Sequence, residues 1–157
     1  MRTGSEDAPT EFTLRRSCAQ TLDHVAVELR DALLPHVLPI VERYLADNDW
    51  RLREAAILAL GAVADGCAEG LRPHVPGILR LLLGKTSDSQ PNVRCNSCWA
   101  LGRYAAFRVQ DAAEEGDSAA GAEVEHIIRA LLERAQVGTL QSYSSSLVDG
   151  EGELLVV

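Results

Sequence analysis

The chain has 157 residues, of which 23 are acidic and 15 basic, for a formal net charge of -8. Apolar residues make up 46% but aromatic residues only 4%, which suits one domain or one block of a repeat array. The acidic balance argues against nucleic acid, whose phosphates need a basic footprint, and favours a basic partner. The longest apolar run, Ala55 to Ala64, is too short to insert into a membrane.

Along the chain, the first helical segment is expected over 12–27. Its Phe12-Thr-Leu-Arg15 start recurs 38 positions later as Trp50-Arg-Leu-Arg53. The same offset relates Leu22 to Leu60, Ala26 to Ala64, and Pro35-His-Val37 to Pro73-His-Val75. A third copy, Val93-Arg94 with Leu101-Gly102 and Ala105, follows Leu52-Arg53 with Leu60-Gly61 and Ala64 by 41 positions. The insertion falls in the turn-like stretch Gly84 to Pro91, where it disturbs no packed face.

Each unit reads as two helices. First helices are expected over 33–46 and 71–84, second helices over 12–27, 50–65 and 91–106, and a lone first helix over Val124 to Gln136. Pro35 and Pro73 suit a first turn, while Pro39 and Pro76 lie further in and are expected to bend their helices. Asp47-Asn-Asp49 and Ser87-Asp-Ser89 supply turns and capping oxygens. Helix pairs with a period near forty define an all-α fold, an α-solenoid of HEAT-type hairpins with incomplete repeats at both ends. Asp47 with Arg53, and Asp88 with Arg94, match the Asp and Arg ladders of such repeats. The open ends lead us to expect a piece of a longer solenoid.

Helical-face geometry then selects a candidate surface. On the third second-helix, Val93, Ser97, Leu101 and Tyr104 share one side, taken as the core. Trp99 points roughly opposite, with Arg103 one turn further along. Their repeat equivalents are Leu58 and Gln20, and Ala62 and His24, so stacking is expected to line two stripes on an inner wall. Such a surface offers an aromatic platform for an extended peptide, with Arg103 as donor or ring-stacking partner. Asp23, which replaces the Gly61 and Gly102 of the other repeats, can accept a hydroxyl or pair with a basic side chain. Packing against a neighbouring repeat is the alternative for Trp99, and an ordinary solvated acid the alternative for Asp23.

Cys98-Trp-Ala-Leu-Gly-Arg-Tyr104 resembles a stretch of the transportins, the importin-β-type nuclear import receptors. So do Leu14-Arg-Arg-Ser-Cys-Ala19 with Leu22-Asp23, Arg30-Asp31 with Leu33-Leu-Pro-His36, Ile57-Leu58 with Leu60-Gly61-Ala62, and Asp65-Gly66-Cys67. The resemblance implies the start of a cargo site that binds basic nuclear localisation signals ending in Pro-Tyr. It assigns the pocket for that pair to Asp23, Leu58, Trp99 and Arg103, with Gln20 and Asn96 as flanking positions. His24, from the stripe reading, is a further candidate flanking contact, with an ordinary surface role as its alternative. Gln20 stands where a small Ala is expected and Asn96 where an aliphatic residue is expected, so the pocket is more polar. The implied partners are basic cargo proteins and, through the full-length receptor, a small Ran-type GTPase and nuclear pore proteins. The implied location is cytoplasm and nucleus, with shuttling between them.

Residues 1–10 read as a disordered acidic-loop remnant containing Glu6 and Asp7, with Glu11 just beyond. The solenoid segment spans 11–137 with an acidic loop over 111–122, and 138–157 reads as a disordered tail. Cys95 and Cys98 form a CxxC on a helix without a second pair, so neither metal nor redox chemistry is expected, and without a secretory signal all four thiols should stay reduced. No phosphate loop, nucleophile elbow or spaced metal motif supports an enzyme or a cofactor. The alternatives are a HEAT scaffold that organises a protein complex, or an inactive truncated product.

Overall fold

The computed structural model describes residues 14–115 and 118–148. Among them every regular element is helical: α1 (Leu14–Leu29), α2 (Leu34–Leu45), α3 (Trp50–Ala62), α4 (Ala68–Leu71), α5 (Val75–Lys85), α6 (Pro91–Glu115) and α7 (Ser118–Val148). Short 3-10 turns, Arg30–Leu33 and Arg72–His74, lead into α2 and α5. The all-α expectation and the paired helices therefore hold. Chain contacts divide the protein into two units, Met1–Tyr104 and Ala105–Val157.

Within the first unit, α3 packs against both α1 and α2. The expected core face of α6 is fully buried, with Val93, Ser97, Leu101 and Tyr104 all at 0% exposure. Two of its polar groups find backbone acceptors there. Ser97 Oγ donates to the Val93 carbonyl at 2.7 Å, and Tyr104 Oη donates to the Leu60 carbonyl at 2.8 Å. Burial pushes the Tyr104 hydroxyl pKa up, so it remains a donor across the working pH range.

The turns between helices are where one repeat grips the next. Arg30 closes α1 in the left-handed region, with φ 50°, and its carbonyl accepts the buried Cys67 thiol at 3.2 Å. Gly70 N–H donates to Asp31 Oδ1 at 3.0 Å. A Cβ at Gly66 would overlap the Ala26 carbonyl on α1, so only glycine allows that backbone approach. The Arg30-Asp31 and Asp65-Gly66-Cys67 motifs are thus two sides of one inter-repeat joint.

The expected Asp and Arg ladder is also present. Arg53 Nη1 donates to the carbonyls of Asp47 and Asn48, while its Nε and Nη2 hold both oxygens of Asp88 at 2.8 and 2.9 Å. Arg94 repeats the pattern on the carbonyls of Asp88 and Ser89. Asp49 caps α3 by accepting from Arg51 N–H, and Asp88 accepts from Gln90 N–H just before α6.

Three expectations need correction. Pro39 lies inside α2, but Pro76 sits in the first turn of α5, because the 3-10 turn at Arg72–His74 redirects the chain just before it. The acidic loop expected over 111–122 is helix on both sides of residues 116–117, which lie outside the described set. The disordered tail expected from 138 is helical as far as Val148. Composition misled here: Ala112, Ala113, Ala119, Ala120 and Ala122 favour helix, and lengthening an existing helix avoids a new nucleation cost. Residues 1–13, including the proposed remnant acids, and 149–157 lie outside the described residues. Within the second unit, Arg108 Nε on α6 meets Glu123 Oε2 on α7 at 2.9 Å.

The ladder makes a pH prediction. The Arg53 hydrogen bonds hold the Asp88 carboxyl down at about 2, from an ordinary 3.8. A carboxyl with a depressed native pKa adds stability above its unfolded value and loses it as pH falls through the folded value. Urea melts should therefore show about 2 kcal/mol of stability disappearing between pH 5 and pH 2. Asp88→Asn should be less stable at pH 7 and should lack that part of the pH dependence.

Candidate functional site

The site is built where α1, α3 and α6 lie side by side. Glu54 on α3 is only 4% exposed, yet it is charged and must be satisfied from its neighbours. Arg15 on α1 forms an ion pair with its Oε2, and Asn96 Nδ2 on α6 donates to its Oε1 at 3.1 Å. One carboxylate therefore ties three helices together. The polar Asn96, expected as a flanking contact, has its amide engaged inside the protein.

Seven residues along from Asn96, two helical turns and about 10 Å of rise, is Arg103. Its Nη2 reaches Asp23 Oδ1 on α1 at 2.9 Å and Asp65 Oδ2 beyond α3 at 2.7 Å. Its guanidinium carbon lies 5.5 Å from the centre of the Trp99 ring, within cation–π range. Trp99 is 41% exposed. The other edge of its ring rests against Gly61, where any Cβ would overlap it. Gly61 thus lets the edge of the indole approach the α3 backbone.

Of the four residues expected to form the pocket, Trp99, Arg103 and Asp23 form one chain of contacts. Leu58 is half-buried one turn from Gly61 on α3. It lines a groove of about 130 Å³ between α1 and α3, together with Arg15, Cys18, Ala19, Leu22, Ala55 and Ala59. Gln20 and His24 are exposed on α1. The two expected stripes are only partly continuous. Gln20 and Trp99 are exposed and Leu58 is half-buried, but Ala62, between His24 and Arg103 in repeat position, is 1% exposed. A methyl group is too short to project past the side chains packed around it.

Asp65 is the residue that sequence reasoning missed. It has no acidic counterpart at the repeat offsets, where Val27 and Ala106 stand, so the periodicity that exposed Trp99 could not find it. A second aromatic feature was also unforeseen. The Trp50 ring is flanked by Arg15 and Arg51, at 5.4 and 5.2 Å from its centre. Among the described residues no group of three or more His, Cys, Asp or Glu could hold a metal ion, and no helix is long and apolar enough to cross a membrane. The four cysteines are free of disulfides.

The helix pairs and the inter-repeat Arg–Asp ladder define the first unit as a HEAT-type α-solenoid, and a model of the HEAT-like repeat matches residues 50–104. Within that class the chain is a transportin-like segment. It is 40% identical over 108 residues to Transportin-1 of Oryza sativa subsp. japonica, a match covering 67% of this chain and 12% of that protein. It is 41% identical over 96 residues to Transportin-1 of Homo sapiens, covering 61% of this chain and 11% of the human protein. Importin subunit beta-2 of Schizosaccharomyces pombe is 36% identical over 98 residues, 62% of this chain and 11% of its own length. The matched stretch is therefore about an eighth of these relatives or slightly less.

The seating of Trp99 on Gly61 can be checked by fluorescence. In a Trp50→Phe background, Gly61→Ala should push the indole outward and shift its emission to the red. It should also cost about 1–3 kcal/mol in urea unfolding, as overpacking does. Unchanged emission would show that the ring does not depend on that glycine.

Proposed function

We propose that the chain supplies part of the cargo-binding wall of a nuclear import receptor. It takes extended basic peptides that end in a Pro-Tyr pair. The observation that carries this reading is a half-exposed Trp99 with an ion-paired arginine on one side and the Leu58 groove close by, in a protein with few aromatic residues. Similarity to proteins named transportin and importin subunit beta-2 supports the receptor class.

The chemistry fits such a ligand. The Trp99 face and the apolar groove beside Leu58 offer dispersion contact to a proline ring and an aromatic ring. Arg103 can donate to a peptide carbonyl or stack on the tyrosine, and Asp23 can accept the phenolic hydroxyl. The formal charge of -8 draws a basic peptide in from a distance, so affinity should fall as salt rises. Regulation by a small Ran-type GTPase, docking to nuclear pore proteins, and shuttling between cytoplasm and nucleus belong to this same proposal, as properties of the full-length receptor. On this reading the protein binds and carries, and does no covalent chemistry.

Titration of a fluorescent basic peptide ending in Pro-Tyr tests the reading. Trp99→Ala should weaken binding by about tenfold or more, as loss of a central aromatic anchor does, and a peptide ending in Ala-Ala should bind similarly weakly to the wild type. Equal binding by wild type and Trp99→Ala would favour a HEAT scaffold whose partners dock elsewhere.

A further inference from the structure

Arg103 occupies the surface that a peptide would need. Its guanidinium covers one side of the Trp99 ring, and a single nitrogen, Nη2, is shared by two carboxylates from different elements. The arrangement leaves a defect: Arg103 Nε is buried and has no hydrogen-bond partner. A buried donor without an acceptor is costly, so something else must hold the side chain there. The two ion pairs, with the Trp99 ring beneath the guanidinium, do so. Asp23 comes from α1, and its side chain is 34% exposed; Asp65 follows α3, and its side chain is 67% exposed.

We infer that Asp65 is a positioning residue that parks Arg103 over Trp99 in the unliganded protein and so sets the cost of admitting a peptide. This inference rests on the peptide-binding reading above. Of the two carboxylates, Asp23 belongs to the pocket itself and can stay with the ligand. Asp65 has no such role and serves to hold the guanidinium in its resting place. When a peptide inserts its terminal residues against Trp99, the Asp65 pair breaks and Arg103 swings, which gives Nε access to an acceptor on the ligand. Asp65 thereby opposes weak or incomplete ligands, which do not replace the bonds that Arg103 gives up. Because Asp65 is exposed, its pair with Arg103 is screened, and its effect on affinity is a small factor.

The test has two arms and uses the full chain. Without peptide, in a Trp50→Phe background, Asp65→Asn should change Trp99 emission and its accessibility to a neutral quencher, whereas Asp65→Glu should leave both near wild type. With a basic peptide ending in Pro-Tyr, Asp65→Asn should bind about two- to fivefold tighter than Glu69→Gln, which controls for the loss of one exposed acidic charge. In an Arg103→Ala background, Asp65→Asn should give no such gain. If Asp65→Asn leaves Trp99 unchanged, or binds no tighter than Glu69→Gln, the inference fails. If the wild type binds the peptide no better than Trp99→Ala does, the peptide-binding reading fails, and the emission arm still reports whether Asp65 parks Arg103.

Discussion

A carboxylate buried in the middle of three helices must be bonded from both sides, and Glu54 imposes that condition here. Arg15 of α1 and Asn96 of α6 both reach it. Leaving either oxygen unpaired would cost several kcal/mol, because a buried charge has lost its water. The register of α1 and α6 against α3 is therefore restricted. Seven residues on from Glu54 is Gly61, seven on from Asn96 is Arg103, and eight on from Arg15 is Asp23. All lie about two turns along their helices on the same sides. The Trp99 platform is assembled by the geometry that satisfies Glu54.

The joints at the helix ends act in the same sense. The Arg53–Asp88 pair, the Arg30–Cys67 bond and the Gly66 approach to Ala26 each link one repeat to the next. A solenoid gains its stability from such nearest-neighbour interfaces rather than from one central core. The site inherits this property, since its residues come from three successive repeats, and anything that shifts one repeat moves one wall of the pocket. Gly61 illustrates the precision required: a single added methyl group meets the Trp99 ring.

Much of this was legible in the sequence for physical reasons. Repeating Leu, Ala and Arg positions exposed the helix pairs, and face geometry separated the buried Tyr104 from the open Trp99. The ladder residues Arg53 and Asp88 were readable because both recur with the repeat. What was not legible depended on single, non-repeating events. Asp65 joins the Arg103 cluster through a turn that has no acidic counterpart in the neighbouring units. The Asn96–Glu54 hydrogen bond was hidden because it joins residues 42 positions apart on different helices. The acidic stretch after Asp111 was misread because charge suggested solvation while its alanines favoured helix.

The face shared by α1, α3 and α6 can be probed without altering any residue. Amide and side-chain chemical shifts of isotope-labelled protein, followed during titration with a basic peptide ending in Pro-Tyr, report where the ligand sits. The account predicts saturable shifts centred on Asp23, Leu58, Trp99 Nε1 and Arg103 Nε, with α2 and α5 nearly silent. Shifts confined to α2 and α5, or no saturable shift at peptide concentrations well above those of the protein, would contradict it.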